Sequence, residues 1–288
     1  WLAEARPDLS FPQQAGNDAD VQVAYCPERV LPGQVLKELV ENDRVIGGMS
    51  EKASAMAVDV YRIFVKGNLS VSNARTAEMC KLTENSFRDV NIAFANELSL
   101  ICDKLDINVW ELIRLANKHP RVNILQPGCG VGGHCIAVDP WFIVDTTPAE
   151  ARIIHMAREI NDYKPHWVLE KVKAAITDVL AKSPDKRMKD ITVACLGLAF
   201  KPDIDDLRES PAVALTKMIA DLGCQVIAVE PNITALPPAL AASTISLGTL
   251  TKALSFADVT CLLVKHYEFK DNAEKIKNMT SLIDVVGL

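Results

Sequence analysis

The sequence predicts an α/β protein: a parallel, doubly wound sheet toward the end of the chain, a long-helix segment before it, and a short strand-containing segment at the start. Three observations carry this expectation. After residue 190, strand-like and helix-like stretches alternate, a pattern that packs helices against a parallel sheet. Between residues 74 and 105 the apolar Ala77, Leu82, Val90, Phe94, Leu98 and Ile101 keep a helical pattern with no internal Gly or Pro. Residues 1–72 hold strand-like pieces too few to close a sheet alone. The expected divisions are 1–72, 73–182 and 183–288.

In chain order, Val21–Ala24, Arg44–Gly48 and Leu69–Ser72 read as strands, with a helix over Glu51–Lys66. Helices follow over Ala74–Leu105 and over Asn108–Lys118, the latter with Asn108 as its N-cap. A Pro- and Gly-rich loop spans Gln126–Gly133, and a second long helix spans Ala149–Ala181, with a bend expected at Pro165. Lys182–Asp190 is polar and contains a proline, which marks it as a linker. Beyond it come strand Ile191–Leu196, helix Pro211–Leu222 with proline at its first turn, and strands Gln225–Val229, Asp258–Val264 and Ser281–Val286.

The chain has 288 residues, 49% apolar and 24% charged, enough to bury a sizeable core. That composition excludes collagen-like and disordered chains, and no apolar run reaches the length of a membrane helix. A net charge of −6 argues against a nucleic-acid surface while leaving room for a local basic pocket that takes a phosphorylated small molecule. The eight cysteines lie mostly in apolar segments (Cys80, Cys102, Cys195, Cys261) without a C-x-x-C pair, so reduced thiols in a cytoplasmic protein are expected, and no metal. The chain opens at Trp1, without Met, in what reads as the tail of a helix. Trp1 is therefore not expected to be the natural start.

The strongest chemical signal is Gln126-Pro127-Gly128-Cys129-Gly130-Val131-Gly132-Gly133-His134-Cys135, followed by Val138-Asp139-Pro140-Trp141. Gly128, Gly130 and Gly133 formally satisfy G-x-G-x-x-G, but a dinucleotide fingerprint follows a strand and opens a helix, and these glycines follow a proline and lead to a cysteine. They are expected to let backbone amides approach a ligand. Cys135, just past them, is a candidate nucleophile, since free N–H groups favour a thiolate and stabilise an oxyanion; the competing reading is an inert thiol. His134 is adjacent in sequence and expected to point away, so no Cys-His dyad is assigned.

On the first long helix, Glu78, Lys81, Asn85 and Arg88 form a polar stripe at spacings of three and four. A Lys one turn from an Asn can hold a water and stabilise negative charge, and Arg88 suits a carboxylate or phosphate; a solvated face is the alternative. Three further loops carry candidates: Tyr25-Cys26-Pro27-Glu28-Arg29-Val30-Leu31-Pro32-Gly33, Lys118-His119-Pro120-Arg121, and Gly197-Leu198-Ala199-Phe200-Lys201 running to Arg208-Glu209-Ser210-Pro211. The last leaves a strand and enters a helix, where open α/β sheets bind ligands.

Together these segments resemble the nucleotide-sugar 6-dehydrogenase family, over nearly the whole chain and in family order. The Gly-Val-Gly-Gly-His-Cys string with Val-Asp-Pro-Trp resembles its N-acetylhexosamine branch; so do Glu41–Gly48 and Asn91–Glu97. Cys129, where the family has Pro, is the one departure. The resemblance implies an NAD-dependent oxidoreductase that takes UDP-N-acetyl-D-mannosamine to the uronate in two hydride steps, through a thiohemiacetal and a thioester on Cys135, in surface-polysaccharide biosynthesis of the enterobacterial common antigen type. UDP-N-acetylglucosamine is the alternative substrate. A non-catalytic sugar-nucleotide module and a cysteine hydrolase are the alternative classes.

It also implies roles. Lys81 is the catalytic lysine, with Asn85 holding a water beside it. Glu28 and Asp139 are the carboxylates that orient that water. Arg29, Val30, Arg88, His119, Arg121 and Gly132 line the sugar nucleotide, Phe200 and Lys201 contact UDP, and Arg208 contacts the cofactor. The implied fold is a Rossmann-like UDP-binding domain, a helical dimerising middle and the remnant of an N-terminal NAD-binding Rossmann domain. The expected assembly is a homodimer through the central helix. Because no phosphate-cradling fingerprint precedes residue 72, the chain as given is expected to bind NAD poorly and to be inactive alone.

Overall fold

The computed structural model describes residues 1–30, 34–241 and 244–288; Leu31, Pro32 and Gly33 of the expected proline-bounded loop lie outside the described residues. The chain forms two compact units, Trp1–Asn85 and Ser86–Leu288.

The first unit contains short helices α1 (Leu2–Ala5), α2 (Pro12–Ala15) and α3 (Val35–Glu41), with strands β1 (Ala24–Tyr25), β2 (Arg44–Gly48) and β3 (Leu69–Asn73) and helix α4 (Glu51–Arg62). Its sheet runs β1-β2-β3; β1 is antiparallel to β2, and β2 is parallel to β3 with Ile46 opposite Val71. Helix α4 is the crossover between the parallel pair, and Ser50 caps it by accepting the Ala53 N–H at 3.0 Å. It ends before the expected Lys66 because the N–H groups of Ile63 and Phe64 turn back only three residues. Helix α5 (Ala74–Lys104) starts in this unit.

The second unit continues along α5 to α6 (Val109–Ala116), α7 (Asp139–Thr146) and α8 (Arg152–Lys182). The sheet elements follow: β4 (Thr192–Leu196), α9 (Pro211–Asp221), β5 (Gln225–Val229), β6 (Ile245–Leu247), α10 (Leu250–Phe256), β7 (Val259–Leu262), α11 (Tyr267–Asp271), α12 (Ala273–Lys277) and β8 (Leu282–Asp284). All five strands are parallel in the order β6-β5-β4-β7-β8, the doubly wound arrangement with the first strand central. The period of two explains how this sheet is buried on both sides. Val193 and Cys195 of β4 and Val226 and Ala228 of β5 join Val172, Ile176, Leu215 and Ile219 of α8 and α9. Ala194, Leu196, Ile227 and Val229 pack the other way with Leu250, Phe269 and Ile276.

Asn108 caps α6 as expected, accepting the Glu111 N–H at 3.0 Å. Helix α8 runs unbroken through Pro165. Asp139–Trp141, to which no element was assigned from the sequence, begins a helix, with Pro140 in its first turn, where a missing N–H costs nothing. All eight cysteines are free thiols, and burial pushes Cys129 and Cys195 up to about 12, which keeps them inert.

Candidate active site

The glycine loop is a packing device. A Cβ on Gly132 would lie 2.6 Å from the Glu209 carbonyl oxygen and 2.8 Å from Phe200 Cβ, so only glycine lets the two loops touch. The Gly133 N–H donates to the Arg208 carbonyl at 3.3 Å. The Gly133 N–H is thereby already engaged, while Gly132 is required by the close packing of the two loops. Gly128 differs: a Cβ there would meet nothing within 4 Å.

Cys135 follows this clamped segment, half-buried, in a turn that runs into α7: its carbonyl accepts the N–H groups of Val138 (3.1 Å) and Asp139 (2.8 Å). The positive end of the helix dipole therefore lies on its side. Arg208 is close enough for its charge to act on Cys135. Contrary to expectation, His134 does not point away. Its Nδ1 lies 3.3 Å from Cys135 Sγ, because both residues sit in a bend, where neighbouring side chains need not alternate as they do in a strand. Asp139 is half-buried in the first turn of α7.

The facing loop is built from the end of β4. Phe200 and Asp206 close a turn through the Phe200 N–H and the Asp206 carbonyl at 3.3 Å. Arg208 grips Asp206 with two parallel bonds, Nε–Oδ1 at 2.9 Å and Nη2–Oδ2 at 2.6 Å, which hold the Asp206 carboxyl below its usual range. Glu230, buried at the end of β5, anchors the loop start by accepting the Leu198 and Ala199 N–H groups at 2.8 and 2.9 Å. His266 Nε2 lies 2.9 Å from the same oxygen, and its Nδ1 accepts the Asp203 N–H at 2.9 Å. That second bond assigns the ring proton to Nε2, which donates to Glu230. Burial alone would raise the Glu230 pKa; the bonds from His266 and the two amides outweigh it and hold Glu230 at about 2.

A cavity of about 480 Å³ opens where the two loops meet, lined among others by Arg88, Gln126, Gly128, Phe200, Pro202 and Lys265. Lys201 and Arg208 stand exposed beside this loop, whereas His119 and Arg121 are exposed in the turn after α6 and do not line the cavity. In the first unit, Lys81 and Asn85 lie half-buried one turn apart on α5. Arg29 is held to the same helix by Glu84, with Nη2–Oε1 at 2.7 Å and Nε–Oε2 at 3.2 Å. Glu28 is exposed and lies 3.6 Å from Arg44 Nη1; Val30 is half-buried.

Sequence reasoning missed a buried polar chain behind the glycine loop. Asp89 Oδ1 accepts from Arg158 Nη1 at 2.7 Å and from Asn161 Nδ2 at 2.8 Å. Asn96 Nδ2 donates to Asn161 Oδ1 at 2.8 Å, and Asn96 Oδ1 accepts the Gly128 N–H at 2.9 Å. A signal was present: Ser86, Asp89, Ala93, Asn96 and Ser99 recur every three or four residues, all buried, on one face of α5.

Three family models match this chain: the UDP-glucose/GDP-mannose dehydrogenase family central domain over residues 75–163, its UDP binding domain over 194–286, and its NAD binding domain over 5–65. A Yersinia pestis protein named UDP-N-acetyl-D-mannosamine dehydrogenase is 66% identical over the whole chain, which spans 68% of that protein. The Escherichia coli (strain K12) protein of the same name is 64% identical over 94% of the chain, covering 64% of its own length. Among solved structures, a UDP-D-ManNAc dehydrogenase from Pyrococcus horikoshii superposes with a TM-score of 0.78 at 39% identity, over 94% of this chain and 62% of that one.

Proposed function

The chain belongs to the UDP-glucose/GDP-mannose dehydrogenase family, and on that premise we propose that it carries sugar-nucleotide-binding and thiol machinery for the oxidation of UDP-N-acetyl-D-mannosamine to its uronate. The observation that carries this reading is Cys135: a half-buried thiol after a clamped glycine loop, at the mouth of a helix and beside the loop of Phe200 and Arg208. An inert structural cysteine needs none of these.

Residues 5–65 match the NAD binding domain, and β2–α4–β3 is the parallel unit such domains use; no glycine-rich pyrophosphate turn occurs within residues 1–73. The residues present thus fit part of a cofactor site, to which we assign Arg208 as a contact. NAD, when bound, would supply the hydride acceptor, one molecule for each of the two hydrides that leave the sugar C6.

The chain's own residues handle the carbon. Cys135 Sγ adds to the C6 aldehyde, and the carbonyl oxygen takes up a proton to give a thiohemiacetal. Loss of hydride and of that proton leaves a thioester. Water then adds, breaks the C–S bond and restores the thiol with a free carboxylate. Lys81 serves the first oxidation and the oxyanion; Asn85 holds the water, and Glu28 and Asp139 orient it. Phe200 and Lys201 take the UDP, while Arg29, Val30, Arg88, His119, Arg121 and Gly132 line the sugar nucleotide. The division at 1–72, 73–182 and 183–288, and a cytoplasmic location, belong to the same reading. Phe87, Phe94 and Ile101 are exposed at seven-residue spacing on α5, which supports a homodimer through that helix.

The thiol step is testable without cofactor. Incubated with the C6 aldehyde of UDP-N-acetyl-D-mannosamine, the chain is expected to show a stoichiometric adduct in native mass spectrometry that Cys135→Ser abolishes. Persistence of the adduct in that variant sinks the reading. The C6 aldehydes of UDP-N-acetylglucosamine and UDP-glucose serve as competing arms that fix the sugar. For the assembly, light scattering is expected to show a dimer that Phe94→Asp converts to monomer.

A further inference from the structure

The buried chain behind the glycine loop has a direction, and that direction follows from chemistry alone. At one end stands the Asp89 carboxylate, which accepts; at the other stands the Gly128 backbone N–H, which donates. Between them lie two amides, each with one accepting oxygen and one donating nitrogen. Asn161 must turn its nitrogen to Asp89, which leaves its oxygen for Asn96. Asn96 must then turn its nitrogen to Asn161, which leaves its oxygen for Gly128. Flipping either amide sets like groups face to face at a place where Asp89 and Asn96 are fully buried and Asn161 is 1% exposed. Arg158 holds the anchor in place, bonded to Asp89 on one side and to Asp162 on the other.

Two long helices packed by apolar residues have no need of such a chain. Buried polar groups cost free energy, and their usual return is a unique geometry. What this chain delivers, and an apolar seam could not, is an acceptor for a loop amide seven residues before Cys135. The loop is held on its other flank by the Gly133 N–H on the Arg208 carbonyl and by Gly132 against Glu209 and Phe200. Asn161 also meets the loop directly: a Cβ on Gly130 would lie 3.1 Å from its carbonyl oxygen. Pro165, four residues on, has no N–H with which to claim that oxygen in the helix.

We propose that Asp89, Asn161 and Asn96 are positioning residues: a directed hydrogen-bond relay that holds the glycine loop, and through it the Cys135 turn, in place for attack on the substrate carbon. This rests on the reading of Cys135 as the nucleophile, but its test does not. The rate of Cys135 alkylation by iodoacetamide is followed by peptide mass spectrometry across pH, with the half-buried Cys26 and Cys80 as internal references and urea unfolding in parallel. Asn161→Asp sets a second acceptor against Asp89 and is expected to change the Cys135 rate by about tenfold or more relative to the references.

Gly128→Pro deletes the loop's donor without touching either helix and is expected to reproduce the Asn161→Asp change; should Asn161→Asp fail to fold, this variant decides. A Cys135 rate within about twofold of the parent in folded Gly128→Pro overturns the relay. Retention of the aldehyde adduct by Cys135→Ser, with these rates behaving as expected, would break the nucleophile reading and leave the relay standing.

Discussion

The two loops that meet at the cavity are held by opposite means. The glycine loop hangs from two neutral amides, with the Asp89–Arg158 ion pair beyond them along the chain of bonds. The Gly197–Asp203 loop is tied directly to a charge, since Glu230 accepts two of its amides and the His266 proton that braces a third. A carboxylate accepting from backbone N–H groups is strong and tolerant of angle; a row of amides is weaker but orients each member. The loop proposed to take the nucleotide is thus fixed by strength, and the loop proposed to place the nucleophile is fixed by direction.

The sharpest way to break that contrast is Glu230→Ala. It strands the Leu198 and Ala199 amides and the His266 Nε2–H in a buried site, and roughly 3–5 kcal/mol of stability is expected to go, read from urea unfolding. Asn96→Ala, which strands neutral groups only, is expected to cost roughly 1–3 kcal/mol.

Acid should separate the loops by sign. The Glu230 pKa lies below its ordinary 4.5, at about 2, so its contribution is complete above 4.5 and lost as pH falls through that window, about 3 kcal/mol in all. Asp89 is displaced upward, chiefly by burial and against the pull of Arg158, so its ionisation weighs against the fold as pH rises and protonation relieves it. Unfolding followed from pH 5 to 2 is expected to show the Glu230 loss in the parent, and its absence in Glu230→Gln would confirm the source.

Smaller still is the glycine comparison. Gly132→Ala forces a Cβ against the Glu209 oxygen and is expected to cost roughly 1–3 kcal/mol and to slow aldehyde capture. Gly128→Ala, which keeps its N–H and meets open space, is expected to change stability by no more than about 0.5 kcal/mol.

Local pattern made much of this architecture legible. β2 and β5 fall on the strands read from β-branched runs, α5 ends one residue from its expected limit, and the Asn108 cap is where a side-chain acceptor was needed. The failures share a cause. β6 is three residues long, too short for a period to register, and α7 was hidden by an Asp-Pro that reads equally as a turn. His134 was expected to point away because it is adjacent to Cys135 in sequence, and the bend there turns both side chains together. Glu230 and His266 are 36 residues apart, and Asp89 and Asn161 are 72; nothing local records that such residues meet. The candidate site is legible as a set of residue types, while what holds it in place is tertiary.

Glu230 has one further consequence, for inhibitors. In an open α/β sheet, the amides after the central strand ordinarily receive a ligand's phosphate. Here a side chain of the protein already occupies the Leu198 and Ala199 amides. An anionic group added to a compound to reach that crevice would have to displace a resident carboxylate and would gain nothing in affinity. Negative charge on a compound is better directed outward, to the exposed Lys201 on the same loop.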